Sequence, residues 1–419
     1  MPHRLSRGCR RRRAVDAEWA KLAVMEDERH QGFGHALQQL LLASYGMYPE
    51  DLARDVADAA RHLGGDEVVL LLADYDQRAL VAFDVGDDRT FDIDGPGPGA
   101  AFRGEVLVEE VAVDGRRRLW VPVKDSADRL GVIGVVDDES VPARHWEAFA
   151  SLVGELVASK SHYGDHITRR RRRVAFSVAA EMRWALLPPL TFTSPDVSIA
   201  GFLQPSHGIA GDAFDYAIDG RAATVAVFDA MGHGIEASRM ANVAVGCFRN
   251  ARRDGADPVA SLVAVDEIIS SQFGDCRFVT AQIATFEMDS GWLVVANAGH
   301  PPPLHLAANR VATFIPIEPA RPAGLGTEPT TTTVQLARGD AVLFCTDGIA
   351  ESRSPGGEFF GDDRLAAVLT ALTVEAIPPA EIARRCLHAV VDHQQGRPSD
   401  DATLLLLRWA DEARTVTAG

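Results

Sequence analysis

The chain has 419 residues, of which 47% are hydrophobic, and it carries a formal net charge of -17 at pH 7. That length exceeds one ordinary hydrophobic core and predicts two or three domains, whereas the hydrophobic content argues against wholesale disorder. The acidic balance argues against duplex nucleic acid as a partner of the whole protein.

The cysteines and the N-terminal segment indicate the cellular compartment of the protein. Five cysteines are scattered without a CxxC pair: Cys9, Cys247, Cys276, Cys345 and Cys386. This pattern is typical of a reducing cytoplasm rather than of a disulfide framework or a structural zinc site. Residues 1–15 are basic, but charges follow where an export signal needs its apolar region, so we predict a disordered tail. No apolar segment approaches the length of a membrane span, and we expect no membrane insertion.

Residues 16–160 predict a helical lead-in followed by a small α+β domain. Helical periodicity ends at the glycines of "EDLARDVADAARHLGG". Strand-like runs follow in "DEVVLLLA", "RALVAFDV", "RLWVPV" and "LGVIGVV", with a predicted loop at "DIDGPGPGA". A closing helix, "ARHWEAFASLVGELVASK", carries an apolar stripe at Trp146, Phe149, Leu152, Val153 and Leu156. This order resembles a GAF sensory domain, and a module used only for dimerisation is the alternative.

Residues 161–190 predict a helical linker. Apolar residues spaced three, four and three apart form one helical seam, which ends before Pro188 and Pro189. The seam consists of Ala175, Val178, Met182 and Ala185. We interpret the five arginines of residues 169–173 as a solvated helix face, because no aromatic platform for RNA accompanies them. A signalling linker of this kind suits a homodimer formed through the linker and the N-terminal domain.

Residues 191–419 are strand-rich and predict a third region. The strand-like runs are "VSIAGFL", "AATVAVFDA", "FVTAQIATFEM", "WLVVANAG", "TTTVQL", "DAVLFCTDG" and "TLLLLRW". Helical stretches follow Gly234 and lie around residues 257–273, 362–372 and 379–394. Because strands follow one another in hairpin-like succession and helices form separate blocks, we expect sheets packed on each other with helices outside.

Aspartates recur at the ends of these strands. Asp229 ends the apolar run "ATVAVFDA", and Asp212 follows a glycine in "IAGDAFD". Asp347 follows the strand "AVLFC", and the pair Asp400 and Asp401 precedes "TLLLL". Carboxylates gathered at strand ends repel one another unless cations neutralise them.

An all-oxygen ligand set indicates a hard divalent ion, magnesium or manganese, rather than zinc. Two such ions can activate a water molecule and bind a phosphate for in-line displacement. The alternative is four separate turn aspartates, each capping a turn or a helix. The residues by themselves leave these two interpretations nearly balanced.

An ordered set of motifs resembles the type 2C, metal-dependent serine/threonine phosphatases, in the bacterial branch that includes RsbU and SpoIIE. The motifs are "EMRWALLPP", "SIAGFLQPSHGIAGDAFD", "FDAMGHGIEAS", "FVTAQIATFE", "ANAGHPPPL", "GDAVLFCTDGIAESRSPGGEFFG" and "SDDATLLLL". The resemblance implies an α/β (α+β) fold in which two mainly antiparallel sheets form an α-β-β-α sandwich. It also implies hydrolysis of a phosphoserine or phosphothreonine monoester with two divalent cations, Mn²⁺ or Mg²⁺.

Carried over by position, the resemblance makes Asp212 and Asp229 catalytic residues and metal ligands, with Asp229 bridging both ions. The Ala230 carbonyl adds a ligand, and Asp347 and Asp400 complete the set. If the register slips by one residue, Asp401 takes the place of Asp400.

The histidines of the motifs are not assigned to catalysis. Where eukaryotic relatives have a histidine two residues after the bridging aspartate, this chain has Met231. His233 lies in a family "GHG" turn and is interpreted as structural. His300 has proline neighbours, which favour a turn-shaping role.

The family resemblance also implies a partner, a phosphorylated anti-anti-sigma protein of the STAS type, and control by the N-terminal domain. Two other functions stay open: a non-catalytic signalling scaffold and a small-molecule phosphomonoesterase.

Overall fold

The computed structural model describes residues 32–84, 86–125, 128–137, 141–204, 211–274, 276–307, 311–375, 377–396 and 400–411. The predicted basic tail lies outside these ranges. The chain divides into two compact units, residues 1–173 and 174–419, and the division falls inside the predicted linker. Within the described ranges, no helix has both the length and the apolar character needed to cross a membrane.

The N-terminal unit contains one antiparallel sheet with the strand order β3-β2-β1-β6-β5-β4. Its strands are β1 (Asp66–Ala73), β2 (Ala79–Ala82), β3 (Thr90–Asp92), β4 (Val108–Val111), β5 (Arg117–Asp125) and β6 (Asp128–Asp137). Its helices are α1 (residues 32–44), α2 (Leu52–Leu63), α3 (Pro98–Gly104), α4 (Ala143–Ser161) and α5 (His166–Arg171), with a short 3-10 helix at Pro49–Asp51.

The apolar stripe of α4 explains how this sheet is covered. Trp146, Phe149 and Val153 are buried in one core with residues of α2 and the sheet. Phe102 of α3 packs in a second core, which is formed by other side chains of the same strands, among them Leu71 and Val132. The segment predicted as a loop, residues 92–100, is shorter than expected, because α3 already begins at Pro98. The GAF resemblance stays a prediction.

The linker differs from the sequence prediction in two ways. Instead of one helix, α5 ends at Arg171 and α6 (Val178–Leu186) begins after a break, where the Ser177 hydroxyl accepts the Ala180 N–H at 3.1 Å. The arginine run is also only partly a solvated face, since Arg169 and Arg173 are exposed but Arg170 and Arg171 are not. Arg171 Nε donates to the Ala73 carbonyl at 2.8 Å, because strand ends present carbonyl groups without ladder partners.

The C-terminal unit contains two antiparallel sheets, with strand orders β15-β12-β11-β10-β9 and β14-β13-β16-β17-β8-β7. The strands are β7 (Thr191–Thr193), β8 (Val197–Leu203), β9 (Asp212–Asp219), β10 (Ala222–Ala230), β11 (Val279–Glu287), β12 (Trp292–Ala298), β13 (Leu304–Leu306), β14 (Thr313–Phe314), β15 (Thr330–Gln335), β16 (Ala341–Cys345) and β17 (Thr403–Trp409). The helices after α6 are α7 (Gly234–Arg253), α8 (Pro258–Phe273), α9 (Asp347–Ala350), α10 (Asp362–Val374) and α11 (Pro379–His393).

Continuous apolar runs form these strands because both faces of each sheet are covered. Along β10, Val225 and Val227 pack in the core between the sheets, and Phe228 packs against α7 and α8. Along β17, Leu405 belongs to the core between the sheets, and Leu404 packs under α10 and α11. The predicted α-β-β-α sandwich is therefore confirmed for this unit.

Candidate metal centre

The antiparallel register of β9 and β10 places two of the predicted site residues face to face. Asp212, the first residue of β9, is the partner of Asp229 on β10. Directly opposite residues lie on the same face of a sheet with neighbouring side chains. Since side chains alternate along a strand, Asp229 shares the face of Val225 and Val227. The two carboxylates therefore lie at the end of the core between the sheets.

Asp212 is buried and held by a hydroxyl from the other sheet. Thr346 Oγ1 donates to Asp212 Oδ2 at 2.7 Å and accepts the Thr403 N–H at 3.1 Å. Burial, followed by the charges of Asp229 and Asp401, raises the pKa of Asp212 well above its ordinary value. A carboxylate in this position is costly unless a positive charge lies beside it.

Asp229 is partly exposed. Burial raises the pKa of Asp229 to about 7, and the nearby charges of Asp347, Asp400 and Asp401 act in the same direction. The carboxylates of Asp347, Asp400 and Asp401 therefore lie near enough to Asp229 to disfavour its charged form.

Asp347 and Asp400 reach this point from the second sheet. Asp347 is the first residue of α9, directly after β16, and Asp400 lies just before β17. These strands are antiparallel neighbours, with Cys345 opposite Leu404. Both carboxylates are exposed to solvent. Burial, Glu351 and Asp400 raise the pKa of Asp347.

The backbone beside Asp229 is held at a close approach. The Ala230 N–H donates to the Gly211 carbonyl at 3.1 Å. A Cβ at residue 211 would lie 2.6 Å from the Ala230 carbonyl oxygen, so only glycine fits there. Beyond β10 the chain turns through Gly232 and Gly234, whose φ angles of +97° and +72° suit glycine.

Asp401 lies beside this group but has other partners. Its Oδ1 accepts a hydrogen bond from Arg183 of α6 at 3.0 Å, and its Oδ2 accepts the Gly211 N–H at 2.7 Å. The sequence motifs assign no role to Arg183 or Thr346. Thr346 is the neighbour of Asp347, and Arg183 lies in the motif "EMRWALLPP", but neither position identifies its partner.

The two histidines of the motifs differ in their surroundings. His233 is exposed at the start of α7. His300 is buried, and its ring contacts Thr280 Oγ1 at 2.8 Å and the Cys345 carbonyl at 3.0 Å. His300 therefore connects the two sheets, which is more than the turn-shaping role expected from its proline neighbours.

The donor chemistry of the site fits hard divalent cations. Its side chains are carboxylates, the pKa values of Asp212, Asp229 and Asp347 are raised, and a cation would relieve the repulsion. Within the described residues, no group of three or more His, Cys, Asp or Glu side chains is already arranged closely enough to hold a metal ion. Asp212 and Asp229 are the close pair, and the other carboxylates act on them electrostatically.

Comparisons with known proteins found similar sequences and structures. Residues 219–410 match the family model described as Stage II sporulation protein E (SpoIIE). The chain is 22% identical over 277 residues to phosphoserine phosphatase RsbU of Bacillus subtilis, covering 64% of this chain and 81% of that protein.

Two solved structures are also similar. The RsbU and RsbW domains of Rv1364c from Mycobacterium tuberculosis match with 28% identity and a TM-score of 0.46, covering 52% of this chain and 60% of that one. The SiaA type 2C domain of Pseudomonas aeruginosa matches with 22% identity and a TM-score of 0.48, covering 55% and 94%.

The C-terminal unit therefore contains a domain of the type 2C, metal-dependent serine/threonine protein phosphatases. Over residues 219–410 the domain matches the SpoIIE model, and the chain is similar to RsbU. The cofactors of the class are divalent cations, Mn²⁺ or Mg²⁺.

Proposed function

We propose that this protein removes phosphate from phosphoserine or phosphothreonine of a regulatory protein, using two divalent cations. In this proposal Asp212, Asp229, Asp347 and Asp400 supply carboxylate ligands, and Ala230 supplies its carbonyl oxygen. Asp229 would be a ligand of both cations. The single observation that carries the proposal is the face-to-face pair of Asp212 and Asp229. The charges of the other two aspartates act on Asp229.

Bound cations supply activation of a water molecule and neutralisation of the phosphoryl oxygens. The chain's own task is to hold its ligands rigidly before the substrate arrives, which strand ends do better than loops. Thr346 fixes one oxygen of Asp212 and so aims the other. Asp347 and Asp400, exposed on the open side, leave room for a phosphorylated loop of another protein.

The substrate we propose is a phosphorylated STAS-domain anti-anti-sigma protein of a partner-switching pathway. The similarity to RsbU supports a protein substrate, since it covers 64% of this chain and extends beyond the family match. We also propose that the protein works in the cytoplasm. The described cysteines, Cys247, Cys276, Cys345 and Cys386, are all free thiols, which supports a reducing compartment.

The test is phosphate release from a phosphorylated STAS-domain protein with Mn²⁺, with Mg²⁺ and with chelator. We expect release that requires metal and disappears in Asp229→Asn. A small phosphomonoester assayed in parallel separates a protein phosphatase from a small-molecule phosphomonoesterase, because the latter prefers the small ester. No release by a folded, metal-bound protein would favour the non-catalytic scaffold.

Control by the N-terminal unit, and a homodimer formed through it and the linker, are further parts of the proposal. Val178, on the predicted seam of α6, is 66% exposed, which supports contact with a second copy. Deleting residues 1–160 should change the rate or the metal affinity and should lower the oligomeric state in light scattering. A phosphatase rate and a metal affinity equal to those of the full chain would rule out regulation by the N-terminal unit. An unchanged oligomeric state would rule out dimerisation through that unit.

A further inference from the structure

A buried ion pair connects α6 with the turn that precedes β17. Arg183 Nη1 lies 3.0 Å from Asp401 Oδ1, and the two side chains are 2% and 3% exposed. The residues are 218 positions apart in the sequence. Removing one member of such a pair leaves an uncompensated buried charge, which is far more costly than losing an exposed ion pair.

Asp401 also contacts the backbone beside the proposed ligands. Its second oxygen, Oδ2, accepts the Gly211 N–H at 2.7 Å and a longer bond from the Asp212 N–H at 3.5 Å. Its own N–H donates to Asp400 Oδ1 at 2.9 Å. Displacing Asp401 would therefore displace Asp212 and Asp400 together.

Close packing fixes Asp401 from a further side. A Cβ at Gly348, next to Asp347, would lie 1.7 Å from the Asp401 carbonyl oxygen. The backbones of the two proposed ligand segments thus touch at this glycine. Little movement of Asp401 is compatible with such contact.

We propose that Arg183 is a positioning residue for the metal centre. By neutralising Asp401, it holds that carboxylate on the backbone of residues 211 and 212, and it leaves Asp400 as the metal ligand. Because this inference rests on the proposed function, its test must separate the failure of either one. The role of Arg183 is exerted through Asp401, without contact between Arg183 and substrate.

The test is calorimetric titration of the full chain with Mn²⁺ alone. Arg183→Met should weaken Mn²⁺ binding by about 10- to 100-fold, the usual effect of losing a residue that orients metal ligands. The double variant Arg183→Met/Asp401→Asn should regain most of the affinity. In that variant no buried charge is left unpaired, and the amide oxygen introduced at position 401 can still accept the Gly211 N–H.

A matched control separates positioning from general stability. Arg384→Met removes an arginine from an equally buried pair with Glu381, at 1% and 0% exposure on α11. This variant should lower the melting temperature in chelator while leaving Mn²⁺ affinity unchanged. At saturating Mn²⁺, Arg183→Met should have most of the wild-type phosphatase rate. The substitution would then raise the Mn²⁺ concentration that activity requires, without lowering the maximal rate.

The outcomes are distinguishable. One outcome would overturn the role of Arg183 alone. In that outcome Asp347→Asn no longer binds Mn²⁺, whereas Arg183→Met binds it with the affinity of the wild type. Absence of Mn²⁺ binding in the folded wild type would overturn the proposed function as well. If Arg183→Met does not fold, Arg183→Lys replaces it. Arg183→Lys keeps the charge without the planar guanidinium and should lose affinity by a few-fold. Unchanged affinity in the lysine variant would also overturn the inference.

Discussion

His300 Nε2 donates a hydrogen bond to the Cys345 carbonyl oxygen at 3.0 Å, and this bond joins the five-stranded sheet to the six-stranded sheet. Because a carbonyl can only accept, Nε2 carries the proton and Nδ1 accepts the Thr280 hydroxyl at 2.8 Å. The neutral imidazole therefore connects the sheets two residues before Asp347. In a cationic ring Nδ1 would instead donate to the Thr280 hydroxyl, and the cost of protonation would come from burying the charge.

This contact predicts acid sensitivity of the fold. Burial lowers the pKa of His300 from 6.5 to about 4. The unfolded chain therefore binds a proton at a higher pH than the folded chain, and stability falls as the pH drops from 6.5 towards 4. The full effect is on the order of 3 kcal/mol.

Urea unfolding in chelator at several pH values, compared between wild type and His300→Gln, measures this effect. The difference between the two proteins removes the contribution of buried carboxylates, which has the opposite sign. Parallel pH profiles of the two proteins would contradict the prediction.

Asp229→Asn should separate stability from activity. The substitution removes one charge from a group of carboxylates that repel one another, and it keeps the shape of the side chain. In chelator we expect a melting temperature equal to or above that of the wild type. Phosphate release at saturating Mn²⁺ should fall at least about 100-fold. A variant that melts much lower, or that turns over normally, would argue against the proposed centre.

Thr346→Val tests whether orientation of Asp212 matters to metal binding. The variant loses the 2.7 Å bond to Asp212 and the acceptor for the Thr403 N–H. Mn²⁺ affinity should fall by about 10-fold or more. The unfolding free energy should fall by about 1–3 kcal/mol, because a buried donor loses its partner. Thr346→Ser keeps the hydroxyl and should behave like the wild type in both measurements.

Asp125 gives a prediction for the N-terminal unit. Burial and the charges of Asp128 and Glu155 raise the pKa of Asp125 to about 6. The folded state therefore binds this proton more tightly than the unfolded state, so Asp125 costs stability above pH 6 and costs none below its unfolded pKa of 3.8.

Asp125→Asn should stabilise the protein at pH 7.5 by about 1 kcal/mol, after allowance for partial solvent screening. The amide oxygen introduced at position 125 can still accept the Asp128 N–H, which is now bonded to the carboxylate at 3.0 Å. The gain should vanish near pH 4 in the same denaturation assay. A gain that is independent of pH would show that charge is not its cause.

Much of the fold follows from local sequence signals. The run "DEVVLLLA" is the strand β1, and "TLLLLRW" is β17, because continuous apolar runs suit strands that are buried on both faces. Asp257, which precedes α8, caps it by accepting the Ala260 N–H at 2.8 Å. The prediction of a solvated arginine face in the linker was wrong for Arg170 and Arg171. Both donate to carbonyl groups of a sheet that periodicity along α5 and α6 cannot reveal.

The sequence by itself determined the strands, the turns and the aspartates that end them, since periodicity and glycine preferences act over a few residues. Only the tertiary structure decided that Asp212 faces Asp229 and that Arg183 pairs with Asp401. Register and burial arise when segments distant in the chain pack together. The energetic penalty for an unpaired buried charge then selects partners that no local pattern records.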